Sequence, residues 1–220
     1  MKKVAVILNG SGHRDGSEIH EAVLTLLGIE LAGATWEAIA LDKPQARVIN
    51  HINGEIDVDS TSRSMLEESA RIARGRIKDL RQANIDDYVA VVIPGGNGTA
   101  SNLCDFATAG SNMSVVSEVA SFLEAARSRG KPIGAVCIAP MILAKVFSKK
   151  GVQLTLGAAE GAAAKAARTM GASVIECKAD DCIVDEAQKI VTTPAYMLDA
   201  NIAQIAEGIF KLARQIVRLS

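Results

Sequence analysis

A cysteine that ends an apolar run is the strongest candidate for chemistry in this sequence. The run Ile133–Val136 is followed at once by Cys137, and a helix-compatible stretch begins at Met141. Such a strand-to-helix elbow places a nucleophile at the carboxyl edge of a parallel sheet, where open α/β sheets bind their ligands. The positive end of the following helix favours the thiolate, which is the reactive form of cysteine. A packing role for Cys137 is the alternative, because free cysteine is often an interior residue.

Two further loops would meet this elbow if the strands are parallel. The loop after the apolar run 4–8 leads to Glu18, and residues 94–98 follow another apolar run. The consecutive Gly95 and Gly96 would let backbone N–H groups approach a ligand, and such donors can stabilise an oxyanion. Each feature also has a structural interpretation, because Glu18 suits the first turn of a helix and the glycines suit an ordinary turn.

The spacing of glycine, cysteine and histidine disfavours dinucleotide and metal binding. Residues 10–16 miss the Gly-x-Gly-x-x-Gly fingerprint by one position. None of the four cysteines forms a Cys-x-x-Cys pair, and His13, His20 and His51 are widely spaced in the sequence. A structural zinc site is therefore not expected.

Charge and hydropathy argue against nucleic acid and membranes as partners. The 220 residues include 24 basic and 25 acidic side chains, and no basic block occurs. The first apolar run is too short for a secretory signal, and no run approaches the roughly 18 residues of a membrane span. From these observations we expect a cytoplasmic protein with free thiols.

Alternating apolar runs and helical stretches predict one α/β domain over residues 1–220. Hydrophobic residues make up 49% of the chain, which is enough to build a large core. The alternation is typical of a parallel sheet that is covered by helices on both faces.

Four segments together resemble the ElbB-like branch of the ThiJ/PfpI superfamily, whose members are also described as isoprenoid biosynthesis proteins with an amidotransferase-like domain. The segments follow the order of the family, and they are residues 15–21, 93–96, 135–140 and 193–197. The resemblance implies a flavodoxin-like three-layer sandwich with a mainly parallel sheet and a nucleophile elbow. It also implies a homodimer.

The resemblance implies a site and a reaction as well. It makes Cys137 the nucleophile and places Glu18 against the thiol, where a carboxylic acid would lower the thiol pKa. The N–H groups of Gly96 and Ile138, with that of Gly95, would be the oxyanion donors. Members of this branch are assigned glutathione-independent glyoxalase activity, a lyase activity of the glyoxalase III or D-lactate dehydratase class.

The implied reaction converts methylglyoxal or glyoxal to the 2-hydroxy acid. The thiolate of Cys137 would attack the aldehyde to form a hemithioacetal. Glu18 would then move a proton between the two carbons through an enediol-like state. Hydrolysis of the resulting thioester would complete the reaction, and no metal or organic cofactor is required.

The sequence departs from many relatives because no histidine follows His51. This absence disfavours glutaminase and protease chemistry, in which an imidazole protonates the leaving amine. Two alternatives to a glyoxalase stay open. One is a non-enzymatic redox-sensing or partner-binding protein that uses a low-pKa Cys137, with an accessory role in isoprenoid biosynthesis. The other is an amidotransferase-like subunit that feeds a synthase, which rests on analogy of fold.

Overall fold

Short apolar runs form the strands, and helices follow most of them. The computed structural model describes residues 2–57 and 62–220. Its strands are β1 (Lys3–Ile7), β2 (Thr35–Ala40), β3 (Ile77–Asp79), β4 (Ala90–Ile93), β5 (Ile133–Val136), β6 (Gln153–Leu154), β7 (Ser173–Val174), β8 (Ile183–Asp185) and β9 (Ile190–Thr193). Its α-helices are α1 (Ile19–Leu31), α2 (Met65–Ile72), α3 (Thr99–Asn102), α4 (Phe106–Ala109), α5 (Ser117–Ser128), α6 (Pro140–Val146), α7 (Ala162–Thr169) and α8 (Ile202–Leu219).

Seven of these strands form one sheet in the order β3-β2-β1-β4-β5-β9-β8. The pairs are parallel except β8 with β9, and β6 pairs with β7 in a separate parallel ribbon. The chain moves outward from β1 to β2 and β3, and then crosses to β4 on the other side of β1. The connections after β1 and β4 therefore diverge at the carboxyl ends of these strands. A divergence of this kind opens the crevice in which α/β sheets bind ligands.

Helices cover both faces of the sheet. On one face α1 packs against α8, and their apolar side chains share a core with Val4 and Val6 of β1. On the other face α5 and α6 share a core with Ala5 and Ile7. Because both faces of β1, β4 and β5 are buried, these strands read as continuous apolar runs. This architecture confirms the predicted flavodoxin-like three-layer sandwich.

A close approach at Gly208 seats α8 against the end of β9. A Cβ atom on Gly208 would lie 2.8 Å from Oγ1 of Thr193. The hydroxyl of Thr193 in turn donates to the carbonyl of Asp181 at 2.7 Å. The helix therefore helps to fix the residues that follow β9. Across residues 2–57 and 62–220, no helix combines the length and the apolar character that crossing a membrane requires.

Candidate active site

Cys137 occupies a strained elbow at the end of β5. Its φ angle is +61°, in the left-handed region, and α6 begins three residues later at Pro140. The N–H of Cys137 donates to the carbonyl of Thr193 at 2.9 Å, which ties the elbow to the end of β9. A left-handed conformation costs a non-glycine residue about 1–2 kcal/mol, and such strain is retained mainly at functional sites. The predicted nucleophile elbow is thus present in the structure.

The acid beside the thiol is Glu21. Its side chain is fully buried and lies against the thiol of Cys137. The Oε2 atom of Glu21 accepts from the N–H of Gly95 at 3.0 Å, and Oε1 accepts from the N–H of Tyr196 at 3.3 Å. The loops that follow β4, β5 and β9 therefore all contact this one carboxyl group.

Glu18, which was predicted to contact the thiol, has a different position. It is the N-cap residue of α1, and its Oε2 accepts from the N–H of Glu21 at 2.7 Å. Its Oε1 lies 4.0 Å from Nδ1 of His20. Because the cap interaction turns this carboxylate toward the end of the helix, the place expected for Glu18 is held by Glu21. The helical period offered a signal for Glu21, which lies on the same inward face as the buried Thr25.

Burial controls the ionisation of the thiol–carboxyl pair. It raises the pKa of Glu21 to about 8, and the nearby charge of Glu18 adds to this shift. Burial also raises the pKa of the Cys137 thiol well above its usual value, and Glu21 contributes in the same direction. Near neutral pH the pair therefore consists of a thiol and a mostly protonated carboxyl group. The predicted low-pKa thiolate is not found, because burial outweighs the effect of the helix end.

The N–H groups of Gly96 and Ile138 converge on the sulfur and oppose the rise in the thiol pKa. Gly96 has a φ of +105°, a backbone conformation that favours glycine. Position 95 needs a glycine for another reason, because a side chain there would collide with neighbouring atoms. A Cβ atom on Gly95 would lie 2.5 Å from Cβ of Cys137 and 2.6 Å from Oε2 of Glu21. The structure thus brings together the cysteine, the glycine pair and Ile138 that the sequence singled out. The N–H of Gly95, predicted as an oxyanion donor, is instead bonded to Oε2 of Glu21.

Buried polar side chains hold the loop after β1 against the loop after β4. Asn9 donates through Nδ2 to Oγ1 of Thr99 at 2.9 Å. Asn102 donates to the carbonyls of Asn9 and Asp15, both at 2.9 Å. Ser17 accepts from the N–H of Asn9 at 3.0 Å. These contacts fix the start of α1, and with it Glu21, at the edge of the sheet.

Of the three histidines, His20 is the one beside the thiol–carboxyl pair. It directly precedes Glu21 in the sequence, and it contacts Tyr196, which is bonded to Glu21. Its Nδ1 shares a hydrogen bond of 2.9 Å with the hydroxyl of Tyr196. His13 and His51 instead pack edge to face at 5.1 Å, and His51 accepts from the N–H of Arg14. No separate signal in the sequence marked the side chain of Tyr196, although the residue lies in the family segment 193–197.

The arrangement suits nucleophilic attack coupled to proton transfer. A thiol can form a covalent adduct with a small carbonyl compound, and a carboxyl group with a raised pKa can both take and return a proton near neutral pH. In the part of the chain that the structure describes, no group of three or more His, Cys, Asp or Glu side chains is arranged to hold a metal ion.

Comparison with known proteins identifies the family. The model of the DJ-1/PfpI family matches residues 2–202, which is most of the chain. The chain belongs to the DJ-1/PfpI family. As a member of the DJ-1/PfpI family it resembles proteins from animals and bacteria along nearly its whole length.

Two curated relatives are 38% identical to this chain over 226 residues and cover 99% of it. They are the human glutamine amidotransferase-like class 1 domain-containing protein 3, of which the match spans 83%, and the rat ES1 protein homolog, of which it spans 84%. A crystal structure from Ehrlichia chaffeensis is described as an isoprenoid biosynthesis protein with an amidotransferase-like domain. It is 30% identical, with a TM-score of 0.93, and the match covers 100% of this chain and 99% of that one. The resemblance to this group of proteins, predicted from four segments, is confirmed.

These relatives contradict the expected cytoplasmic setting. The human and rat proteins, and a zebrafish ES1 protein that is 27% identical, are all described as mitochondrial. The expectation depended on the shortness of the first apolar run. That observation concerns secretion and membrane insertion, and it carries no information about import into an organelle.

Proposed function

We propose that this protein is a cysteine-dependent, glutathione-independent glyoxalase that converts methylglyoxal or glyoxal to the 2-hydroxy acid. The observation that carries the proposal is that the Cys137 thiol lies against a buried carboxyl group, that of Glu21, whose pKa is raised to about 8. A glyoxalase needs one group that binds the aldehyde covalently and another that moves hydrogen between adjacent carbons. Membership of the DJ-1/PfpI family is consistent with cysteine chemistry, although a fold does not define a reaction.

The first step is attack of the Cys137 sulfur on the aldehyde carbon. Glu21, in its ionised form, accepts the thiol proton as the carbon–sulfur bond forms and passes it to the aldehyde oxygen, which gives a hemithioacetal. The developing oxygen lies beside the sulfur, where the N–H groups of Gly96 and Ile138 can donate to it. A base with a pKa near the working pH is efficient because it is available in both protonation states.

The second step moves hydrogen from the first carbon to the second. Glu21 removes the hydrogen of the hemithioacetal carbon as a proton, and the electron pair forms the double bond of an enediolate whose negative charge lies on the oxygen of the second carbon. The same carboxyl group returns the proton to the second carbon, and the hydroxyl proton of the first carbon passes to the oxygen of the second, which leaves a thioester on Cys137. Water then cleaves the thioester, releases the 2-hydroxy acid and restores the thiol.

Burial at the site favours a small substrate. Cys137 is 8% exposed and Glu21 is fully buried. A two- or three-carbon 2-oxoaldehyde fits such access better than a peptide or an amino-acid amide. A redox-sensing role has less support, because rapid oxidation requires a thiolate at neutral pH and the pKa of this thiol is raised.

The proposal is tested by lactate formation from methylglyoxal. Cys137→Ala and Glu21→Gln should each lose about 10²-fold or more of kcat/KM, which is the usual contribution of a general acid–base group. Glu18→Asn keeps a good capping residue and should retain most of the activity. Cys104→Ala is a matched control, because Cys104 is also buried but lies outside the site. Lactate formation by Cys137→Ala at the wild-type rate would refute the proposal.

We also propose that the protein forms a homodimer through the outer face of α1. This face carries an apolar stripe with a spacing of four residues, and its members are 44%, 46%, 43% and 68% exposed: Ile19, Val23, Leu27 and Leu31. Continuous exposed apolar surface of this kind marks interaction sites, and a second copy related by a two-fold axis would cover it with an identical stripe.

The dimer is tested by the molar mass in solution from light scattering. Leu27→Glu places a charge in the stripe and should give a monomer. Ile52→Glu is the matched control, because Ile52 is 95% exposed and belongs to the segment between β2 and α2, not to α1. A wild-type protein that is monomeric at micromolar concentration would contradict this proposal.

A further inference from the structure

A tyrosine–histidine pair lies next to the thiol–carboxyl pair. The hydroxyl of Tyr196 is 2.9 Å from Nδ1 of His20, and the two ring centroids are 5.9 Å apart. The backbone N–H of Tyr196 donates to Oε1 of Glu21. Tyr196 is therefore fixed at both ends, by the buried acid at its backbone and by an exposed histidine at its hydroxyl.

A second strained turn puts Tyr196 in this position. Ala195 has a φ of +43° and lies two residues after the end of β9, whereas Cys137 lies directly after β5. The two strands are neighbours, and their ends are joined by the hydrogen bond from Cys137 to Thr193. Two strained non-glycine residues thus lie on adjacent strand ends. The residue after each strained position faces the reacting pair with its N–H. The N–H of Ile138 lowers the pKa of the thiol, and the N–H of Tyr196 donates to the carboxyl group of Glu21.

The surroundings of the Tyr196 hydroxyl are acidic. Glu18 and Glu21 both lie close enough to affect it, and Glu18 also approaches His20 at 4.0 Å. Burial raises the pKa of Tyr196, and the two glutamates add to the shift. The phenol therefore stays protonated and is available as a donor. Protonated donors of this kind stabilise the oxygen of a developing enolate.

We propose that Tyr196 is a catalytic residue that gives and takes a proton at the oxygens of a 1,2-dicarbonyl substrate, and that His20 positions its hydroxyl. The inference rests on the glyoxalase function proposed above. The sequence has no histidine after Cys137 that could transfer protons at the substrate oxygens. The inference assigns these proton transfers to Tyr196 and His20.

Protons balance over one turnover. When Glu21 removes the proton from the first carbon, Tyr196 gives its hydroxyl proton to the oxygen of the second carbon, and the enediol forms. When Glu21 returns its proton to the second carbon, Tyr196 takes back a proton from the hydroxyl of the first carbon, and the thioester carbonyl forms. One phenol can serve both oxygens, because the oxygens of a cis-enediol lie side by side.

The test separates attack by the thiol from the later hydrogen transfer. Lactate formation gives kcat and KM, and protection of Cys137 from iodoacetamide by methylglyoxal reports hemithioacetal formation. Tyr196→Phe should lower kcat about 10²-fold, with KM and the protection of Cys137 changed less than about threefold. The other tyrosine supplies the matched control, because Tyr88 is bonded to Glu37 and lies outside the site. Tyr88→Phe should keep the wild-type kcat.

Substitution of His20 tests the positioning role. His20→Ala should lower kcat by about tenfold or more, because displacement of a reacting group by about 1 Å can cost about a hundredfold. His20→Asn, which keeps an N–H donor near the position of Nδ1 and so leaves the phenol proton free for the substrate, should restore most of this loss.

Each outcome identifies which proposal fails. A Tyr196→Phe protein with wild-type kcat, beside an inactive Cys137→Ala, would overturn the role of Tyr196 and leave the glyoxalase function standing. Loss of Cys137 protection in Tyr196→Phe, or an equal loss of kcat in Tyr88→Phe, would show a structural effect and overturn the inference as well. Lactate formation that is independent of Cys137 would overturn both proposals.

Discussion

Replacement of Gly95 by alanine tests whether the thiol–carboxyl pair depends on the space at the end of β4. The new methyl group would lie 2.5 Å from Cβ of Cys137, 2.6 Å from Oε2 of Glu21 and 2.9 Å from the carbonyl oxygen of Val136. Carbon atoms in contact normally lie about 3.5–4.0 Å apart, so the groups must separate by about 1 Å. Gly95 does not have a positive φ, so the backbone accepts alanine and the perturbation is steric.

The geometry sets the size of the expected effect. Overpacking of a filled interior costs about 1–3 kcal/mol of stability. A shift of about 1 Å in reacting groups lowers a rate about 10²-fold, which corresponds to about 2.7 kcal/mol of activation free energy. We therefore expect Gly95→Ala to lose about 1–3 kcal/mol in the free energy of unfolding and about 10²-fold in lactate formation.

Urea unfolding measures the first effect, and the rates of Cys137 alkylation and lactate formation measure the second. Gly161→Ala is the matched control, because a Cβ atom there would meet one neighbouring atom, the carbonyl oxygen of Ala158, at 3.6 Å. That variant should behave like the wild type within about 0.5 kcal/mol. A Gly95→Ala protein with wild-type stability and wild-type reaction rates would refute the argument that this glycine makes room for the pair.

Three further substitutions test the ionisation, the strain and the support of the site. The pKa of Glu21 rises from 4.5 to about 8 on folding, so the folded protein keeps a proton that the unfolded chain releases between these pH values. The free energy of unfolding should therefore fall by up to about 1.4 kcal/mol per pH unit between pH 5 and pH 8 in urea titrations, and less steeply in Glu21→Gln. Cys137→Gly should be about 1 kcal/mol more stable than Cys137→Ala, because glycine adopts a positive φ without strain, and equal midpoints would contradict this. Asn102→Ala should lose about 1–3 kcal/mol, because two buried carbonyls lose their donor, and unchanged hydrogen exchange in the loop after β1 would show that Asn102 does not hold it.

The elbow could be predicted because its signal is local. An apolar run that is followed by a cysteine and a helix defines both the strand and the turn, and paired glycines mark the loop that must approach it. The acid beside the thiol was placed three residues too early, because Glu18 and Glu21 both lie at the start of α1. Which of them faces inward depends on which residue caps the helix. Glu18 is the cap, and this leaves Glu21 on the buried face.

Features that depend on packing between distant segments could not be predicted. The raised pKa values of Glu21 and Cys137 come mainly from burial, and the depth of burial follows from how the three loops close over the pair. The contact of Tyr196 with His20 joins residues that are 176 positions apart. Neither periodicity nor local spacing carries that information.

The order of the strands also has a consequence for synthesis and folding. Tyr196, which donates to Glu21, lies 175 positions after it, and the elbow at Cys137 is tied to Thr193 of β9. Contacts of such long range form late, because closing a long stretch of chain costs entropy before the contact stabilises it. A growing chain that has not yet reached β9 therefore carries a cysteine without its complete set of partners. Because burial in the assembled sheet raises the pKa of this thiol, the cysteine of an incomplete chain ionises more readily than the cysteine of the folded protein.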